Sequence, residues 1–156
     1  MNPISFEICD FNQPAHQKVL NNLLNSYMSD PMGDCQPHDE QQQRQLIEGL
    51  SNHPTAMVLF VLYQGNYAGM TTCFVNYSTF KLKSYLYIHD VFVLDEFRGK
   101  HLGRALLEKL VALARQRNYC KLTLEVRSDN PVAQSLYHQI GFDECQPVMH
   151  YWEKHL

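Results

Sequence analysis

Nowhere does the sequence hold an apolar run long enough to cross a bilayer. The longest, Ala56 to Tyr63, has the length of a buried strand. Its opening, Met1-Asn2-Pro3-Ile4-Ser5, lacks the basic start and apolar stretch of a secretory signal, so no membrane role and a cytoplasmic location are the expectations. The five cysteines (Cys9, Cys35, Cys73, Cys120, Cys145) are odd in number and never spaced as a CxxC pair. That pattern predicts reduced thiols and excludes a disulfide frame. None of the eight histidines stands at HxxxH or HExxH spacing, so no metal is expected. Positive charge is not in excess: the net charge is −3 and the pI near 6.2, which argues against a nucleic-acid binder. No repeat, low-complexity tract or Pro/Gly/Ser-rich linker divides the chain, and residues 1–156 read as one domain.

What is there alternates between strand and helix patterns. Ile4 to Asp10 reads as a half-buried strand. From Pro14 to Met28, Val19, Leu20, Leu23, Leu24, Tyr27 and Met28 recur at helical spacing. The breaker-rich stretch Ser29 to Pro37 reads as a loop, and a second helix begins at about Asp39 with Leu46, Ile47 and Leu50 inward. Met57 to Tyr63 and Tyr67 to Tyr77, joined by Gln64-Gly65-Asn66, form a hairpin signal, and Ser84 to Leu94 continues in the same style. Leu102, Leu106, Leu110 and Leu113 mark a helix to Arg117, followed by a strand over Lys121 to Arg127. Asn130 to Ile140 is a short helix with Asn130 as N-cap, Pro131 at its first position and Gly141 as its stop. Val148 to Lys154 is the expected closing strand. The order predicts an α+β or mixed α/β fold with about four helices. The Tyr67–Tyr77 and Ser84–Leu94 strands should be antiparallel, and the strand after the long helix parallel to its predecessor.

The sharpest local feature is Val91-Phe92-Val93-Leu94-Asp95-Glu96-Phe97-Arg98-Gly99-Lys100-His101-Leu102-Gly103-Arg104-Ala105. A strand runs into a turn holding glycines and cations, and the turn opens a helix. Unpaired amides at a helix N-terminus, backed by the macrodipole, suit a phosphate. Glycine lets the backbone approach an anion closely, and Arg98, Lys100 and Arg104 add charge. A basic loop capping an ordinary amphipathic helix is the plainer alternative. The GxxxxGK pattern of a nucleotide P-loop is absent.

Arg98-Gly99-Lys100-His101-Leu102-Gly103 resembles the Arg/Gln-x-x-Gly-x-Gly/Ala pyrophosphate loop of the GNAT superfamily of acyl-CoA-dependent N-acyltransferases. Asn130 to Phe142, read as Asn-Pro-Val-Ala-Gln-Ser-Leu-Tyr-His-Gln-Ile-Gly-Phe, matches that family's second signature, N-x-x-A-x-x-L-Y-x-x-x-G-F. The resemblance is strong from Ile88 to Phe142 and only topological before Ala56. It departs from the pattern at one place, where His101 stands for the loop's first glycine.

The resemblance implies a central mixed, twisted sheet splayed in its middle, with the thioester of acetyl-CoA in the gap. The backbone of Val91, Phe92 and Val93 would hold the pantetheine arm, and amides of Gly99, Lys100, His101, Leu102, Gly103 and Arg104 the pyrophosphate. Asn130 and Ala133 would contact the same molecule. Tyr137 would meet the sulfur: the departing thiolate, of pKa roughly 8.5, can take a proton from a phenol of pKa about 10. Packing alone would make Tyr137 a boundary aromatic of its helix.

An alkylammonium must lose a proton before it attacks, which calls for a base or a water chain. His89 and Asp90 are the candidates, expected on opposite faces of their strand. In the polyamine acetyltransferases, which this stretch resembles, an acidic pair stands there. Asp90 and Glu125 could hold a cationic substrate, and Asp30, Asp34, Asp39 and Glu40 lie in the loop expected to build part of the acceptor pocket. The implied activity is acetyl transfer from acetyl-CoA to a small-molecule amine, by direct attack in a ternary complex. A protein or aminoglycoside acceptor, or a non-catalytic acyl-CoA-binding module, stays open, and so does a homodimer.

Overall fold

The computed structural model describes residues 2–156. In chain order it contains β1 (Ile4–Ile8), α1 (Pro14–Ser29), α2 (Glu40–Asn52), β2 (Met57–Tyr63), β3 (Asn66–Ser78), β4 (Lys83–Val93), a 3-10 turn (Asp95–Phe97), α3 (Leu102–Gln116), β5 (Leu122–Leu124) and α4 (Pro131–Ile140). The five strands form one open sheet in sequence order. Its first three pairings are antiparallel and the last, β4 with β5, is parallel. The short β3–β4 connection and the α3 crossover require that arrangement.

The run Met57-Val58-Leu59-Phe60-Val61-Leu62 has no polar face because β2 is covered on both sides. Met57, Leu59 and Val61 pack with Leu106, Leu107 and Leu110 of α3. Val58, Phe60 and Leu62 pack with Leu20 and Leu23 of α1. A capping box starts α2: Asp39 accepts from the Gln42 amide at 2.8 Å, and the Gln42 side chain accepts from the Asp39 amide at 3.0 Å. Asn25 ties down the preceding loop, donating to the His38 carbonyl and accepting from its amide, at 3.0 and 2.9 Å.

Three sequence expectations need correction. The register between β3 and β4 slips, with Thr72 opposite Asp90 and Cys73 opposite Ile88, so His89 is the extra residue of a β-bulge. Leu86 and Ile88 face α3, and so do Val91 and Val93, while Phe92 stacks on Tyr27 of α1 at 5.3 Å. The bulge therefore brings His89 and Asp90 to the same face, the α1 side, and not to opposite faces. The strand expected over Lys121 to Arg127 is only Leu122–Leu124 long. Its ladder to β4 ends at Ile88–Leu124, one residue before the bulge that turns β4 aside. Val148 to Lys154 forms no strand: it pairs with no segment among the described residues, and Val148, Met149, Tyr151 and Trp152 are exposed.

Candidate active site

Where the β4–β5 ladder stops, the strands part and a cavity of about 970 Å³ opens between them. Val91, Phe92 and Val93 line one wall and Asn130, Ala133 and Tyr137 the other. The turn before α3 forms one end of the cavity, contributing Arg98, Gly99, His101, Leu102, Gly103 and Arg104. His89, Glu125, Tyr27 and Asp30 also line it.

The turn leaves its amides unsatisfied. The first bond into α3 runs from the Ala105 amide to the His101 carbonyl, 3.0 Å. No acceptor is found among the described residues for the amides of Gly99 to Arg104, and no side chain caps the helix. Such a row of donors at the positive end of a helix dipole fits a diphosphate. His101, at φ 59° and ψ 23°, adopts the left-handed conformation that explains why the family pattern has glycine here. Gly103 lets α4 come close: a Cβ there would meet Leu136 Cδ2 at 3.4 Å.

The cations do not ring this turn as free charges. Arg98 meets Asp30 and Asp95, each at 2.8 Å, and its Nε donates to the Val93 carbonyl at 3.2 Å. Lys100 does not line the cavity, and its ammonium sits 5.4 Å from the Tyr63 ring centre. Arg104 pairs with Glu108 at 3.3 Å and donates to Gln139. What the turn offers an anion is chiefly its backbone.

Asn130 caps α4, its side chain accepting from the Ala133 amide at 3.1 Å, with Pro131 and Gly141 at the two ends as the sequence predicts. Tyr137 packs against the α3-side core and edge-on to Phe142. Its hydroxyl has no hydrogen-bond partner among the described residues. Burial, with a smaller contribution from Tyr27, pushes its pKa up to about 12. The group is therefore a protonated donor throughout the neutral range.

On the α1 side of the sheet lie the candidate bases. His89 is exposed, and its Nδ1 lies 3.1 Å from the Tyr87 hydroxyl, which donates to Glu125 Oε1 at 3.0 Å. Asp90 does not line the cavity; it is half-buried beside Thr72. Burial raises its carboxyl above the ordinary range, while the charge of His89 and a hydrogen bond from Thr72 pull it part of the way back. Burial works to raise Asp30 too, but the Arg98 hydrogen bond and charge and the Met32 amide outweigh it and hold Asp30 low.

Tyr27, Tyr87 and Arg127 escaped the sequence reading of the site. Tyr27 looked like one more apolar position of a helix stripe. Tyr87 carried a usable signal, sharing strand parity with His89. Arg127 forms a two-pronged pair with Asp129 at 2.8 Å and donates to the Met32 carbonyl at 3.4 Å, joining the β5–α4 connection to the loop after α1. No motif marks it.

Comparison with known proteins agrees with this geometry. The sequence pattern of the acetyltransferase (GNAT) family matches residues 20–142. An uncharacterised N-acetyltransferase of Bacillus subtilis, YhfO, is 31% identical over 102 residues, which cover 65% of this chain and 68% of that one. The ribosomal protein bS18-alanine N-acetyltransferase of Escherichia coli is 35% identical over 65 residues, 42% of this chain and 44% of its own length. Among solved structures, an integron cassette protein of Vibrio cholerae superposes with a TM-score of 0.81 at 23% identity, covering 99% and 94% of the two chains. A soil-metagenome aminoglycoside acetyltransferase solved with sisomicin gives 0.78 at 16%, covering 99% and 97%. At those identities the structures speak for the fold alone. With the family pattern over most of its length, the chain belongs to the GNAT acetyltransferase family and is an N-acyltransferase of that type.

Proposed function

We propose that the chain transfers an acetyl group from acetyl-CoA to a primary amine of a small cationic molecule, directly and without an acyl-enzyme. The observation that carries this is the cavity itself. It joins a row of unsatisfied amides at one end to a free phenol in its wall and to His89 and Glu125. The free amides of Gly99 to Arg104 would hold the diphosphate, and the backbone of Val91 to Val93, unpaired on its β5 side, the pantetheine arm. Asn130 and Ala133 would line the same path. The thioester supplies an activated acetyl group and a leaving thiolate.

In this reading the amine nitrogen bonds to the acetyl carbon and the carbon–sulfur bond breaks. Amides near Val91 stabilise the charge developing on the carbonyl oxygen. Tyr137 donates its proton to the leaving sulfur, and His89 takes the proton lost by the amine. His89 is preferred to Asp90 as base because it borders the cavity and Asp90 does not. Asp30 and Asp129 are each paired with an arginine. Glu125, which lines the cavity, forms no salt bridge among the described residues, and such a carboxylate favours a cationic acceptor.

A protein N-terminus is the second reading, supported by the relative that acetylates an alanine of ribosomal protein bS18. A panel of polyamines, aminoglycosides, amino acids and alanine-started peptides, followed by thiol release from acetyl-CoA, separates the two. Fastest turnover with a diamine or polyamine supports the proposal. Turnover with peptides alone replaces it with the second reading. No thiol release with any amine overturns catalysis and leaves a binding module.

A further inference from the structure

The His89 ring has one hydrogen-bond partner, and that partner has another. Nδ1 of His89 faces the Tyr87 hydroxyl at 3.1 Å, and the same hydroxyl donates to Glu125 Oε1 at 3.0 Å across the parallel β4–β5 pair. A phenol has a single proton to give, and an ionised carboxylate can only accept one. The Tyr87 proton is thus committed to Glu125, and its oxygen is left to accept from His89. That places the proton of a neutral His89 on Nδ1 and the lone pair on Nε2. Nε2 bonds to nothing among the described residues. The ring is also braced by Tyr87 and Phe74, whose centres lie 5.6 and 5.9 Å from its own.

We propose that Tyr87 is a positioning residue for deprotonation of the acceptor: it holds His89 as the Nδ1–H tautomer, leaving Nε2 free to take the proton, with Glu125, the residue after β5, anchoring Tyr87. This rests on the reading of His89 as the base. When Nε2 takes the amine proton, the imidazolium keeps its Nδ1–H bond to Tyr87, and Tyr87 keeps its proton toward Glu125. No proton travels along the chain. The carboxylate at its far end stabilises the cation formed at the near end. Sequence parity and the bulge together create the arrangement, since Tyr87 and His89 share a face and the strand turns aside at His89.

Asp90 lies beside His89; Tyr27 and Asp30 from α1 and its cap and Arg127 after β5 line the same cavity, and Tyr151 of the C-terminal segment lies near Tyr87. His53, at the end of α2, touches Phe74 and not the His89 ring. Asp90 remains in every variant below.

The test combines pH profiles of kcat/KM for wild type, His89→Gln, Tyr87→Phe and Glu125→Gln with the nitrogen chemical shifts of the His89 ring. In wild type the ring should carry its proton on Nδ1. Tyr87→Phe keeps the aromatic ring; it should lower kcat about tenfold, the lower end of the loss seen when the outer hydrogen-bond partner of a metal-ligating histidine is removed. It should also move the acidic limb, where kcat/KM rises as the base deprotonates, to lower pH with little change in acceptor KM, and its His89 ring should become a tautomer mixture. Glu125→Gln preserves a hydrogen bond without the charge and should move the limb the same way by less. Should Tyr87→Phe melt early, this variant of an exposed residue decides the matter. A limb that survives His89→Gln overturns the base assignment and this proposal with it. A limb lost in His89→Gln yet unmoved, at wild-type rate, in the other two variants overturns this proposal alone. So does a wild-type ring with its proton on Nε2.

Discussion

Asp30 and Arg98 meet at 2.8 Å, joining the loop that follows α1 to the turn that precedes α3. The guanidinium also lies against the face of Phe92, 5.9 Å from the ring centre, and Phe92 stacks on Tyr27. The turn before α3, strand β4 and helix α1 therefore share one set of contacts. Arg98, which lines the cavity, thus also ties the loop after α1 to the turn before α3.

Asp30→Asn should lower stability by about 1 kcal/mol at most, since Arg98 is half exposed. The folded pKa of Asp30 lies below its unfolded value, so the contribution is complete above the unfolded pKa of about 3.9 and fades as pH falls through the folded value. Melting curves of mutant and wild type should run a constant distance apart from pH 8 to pH 5 and converge in stronger acid. In kinetics the change should appear in acceptor KM, with the Kd for CoA nearly unchanged. A large loss of CoA affinity would show that Arg98, once freed, disturbs the phosphate turn.

Asp90 has the opposite sign. Its folded pKa lies above its unfolded value, so its charge costs stability above the folded pKa and costs nothing below the unfolded one. Asp90→Asn should raise the melting temperature at pH 7 and lose that advantage toward pH 4. Asparagine can still accept the Thr72 hydrogen bond. If the acidic limb of kcat/KM also disappears in this mutant, the base is Asp90 and not His89.

His101→Gly places glycine where the backbone already has φ 59°. A non-glycine residue there carries strain of about 1 kcal/mol or more, partly offset by the greater flexibility of glycine in the unfolded chain. Thermal melting should show equal or higher stability, and calorimetry equal or tighter CoA binding. Weaker binding by a well-folded mutant would make the imidazole a phosphate ligand.

Tyr137→Phe keeps the ring that packs against the core and removes only the hydroxyl. A general acid contributes about 10²–10⁴-fold, and a thiolate is a fair leaving group, so kcat should fall toward the lower end of that range. CoA affinity should hold, because the hydrogen bond strengthens mainly in the transition state. With the phenol pushed up to about 12, wild type should show no falling limb from this residue below pH 10. Wild-type turnover by a mutant that melts normally would reduce Tyr137 to a packing residue.

The sequence by itself determined the order of the elements from β1 to α4, because these depend on local rules. Asn130, Pro131 and Gly141 bound α4 through capping, and the leucines of α3 through helical period. The loop and helix signatures were legible for the same reason, being contiguous in the chain. Tertiary structure alone decided what lies across gaps. The bulge at His89 depends on register against β3, which strand alternation cannot foresee, and it put His89 and Asp90 on one face. The pairing of Arg98 with Asp30, the approach of Glu125 to Tyr87 and the arrival of Tyr27 against Phe92 each join residues far apart in the chain. The apolar residues of Val148 to Lys154 could become a strand only by pairing with another segment, and among the described residues they pair with none. Period and capping are properties of a segment; register and charge pairing are properties of two segments brought together, and only the folded chain brings them there.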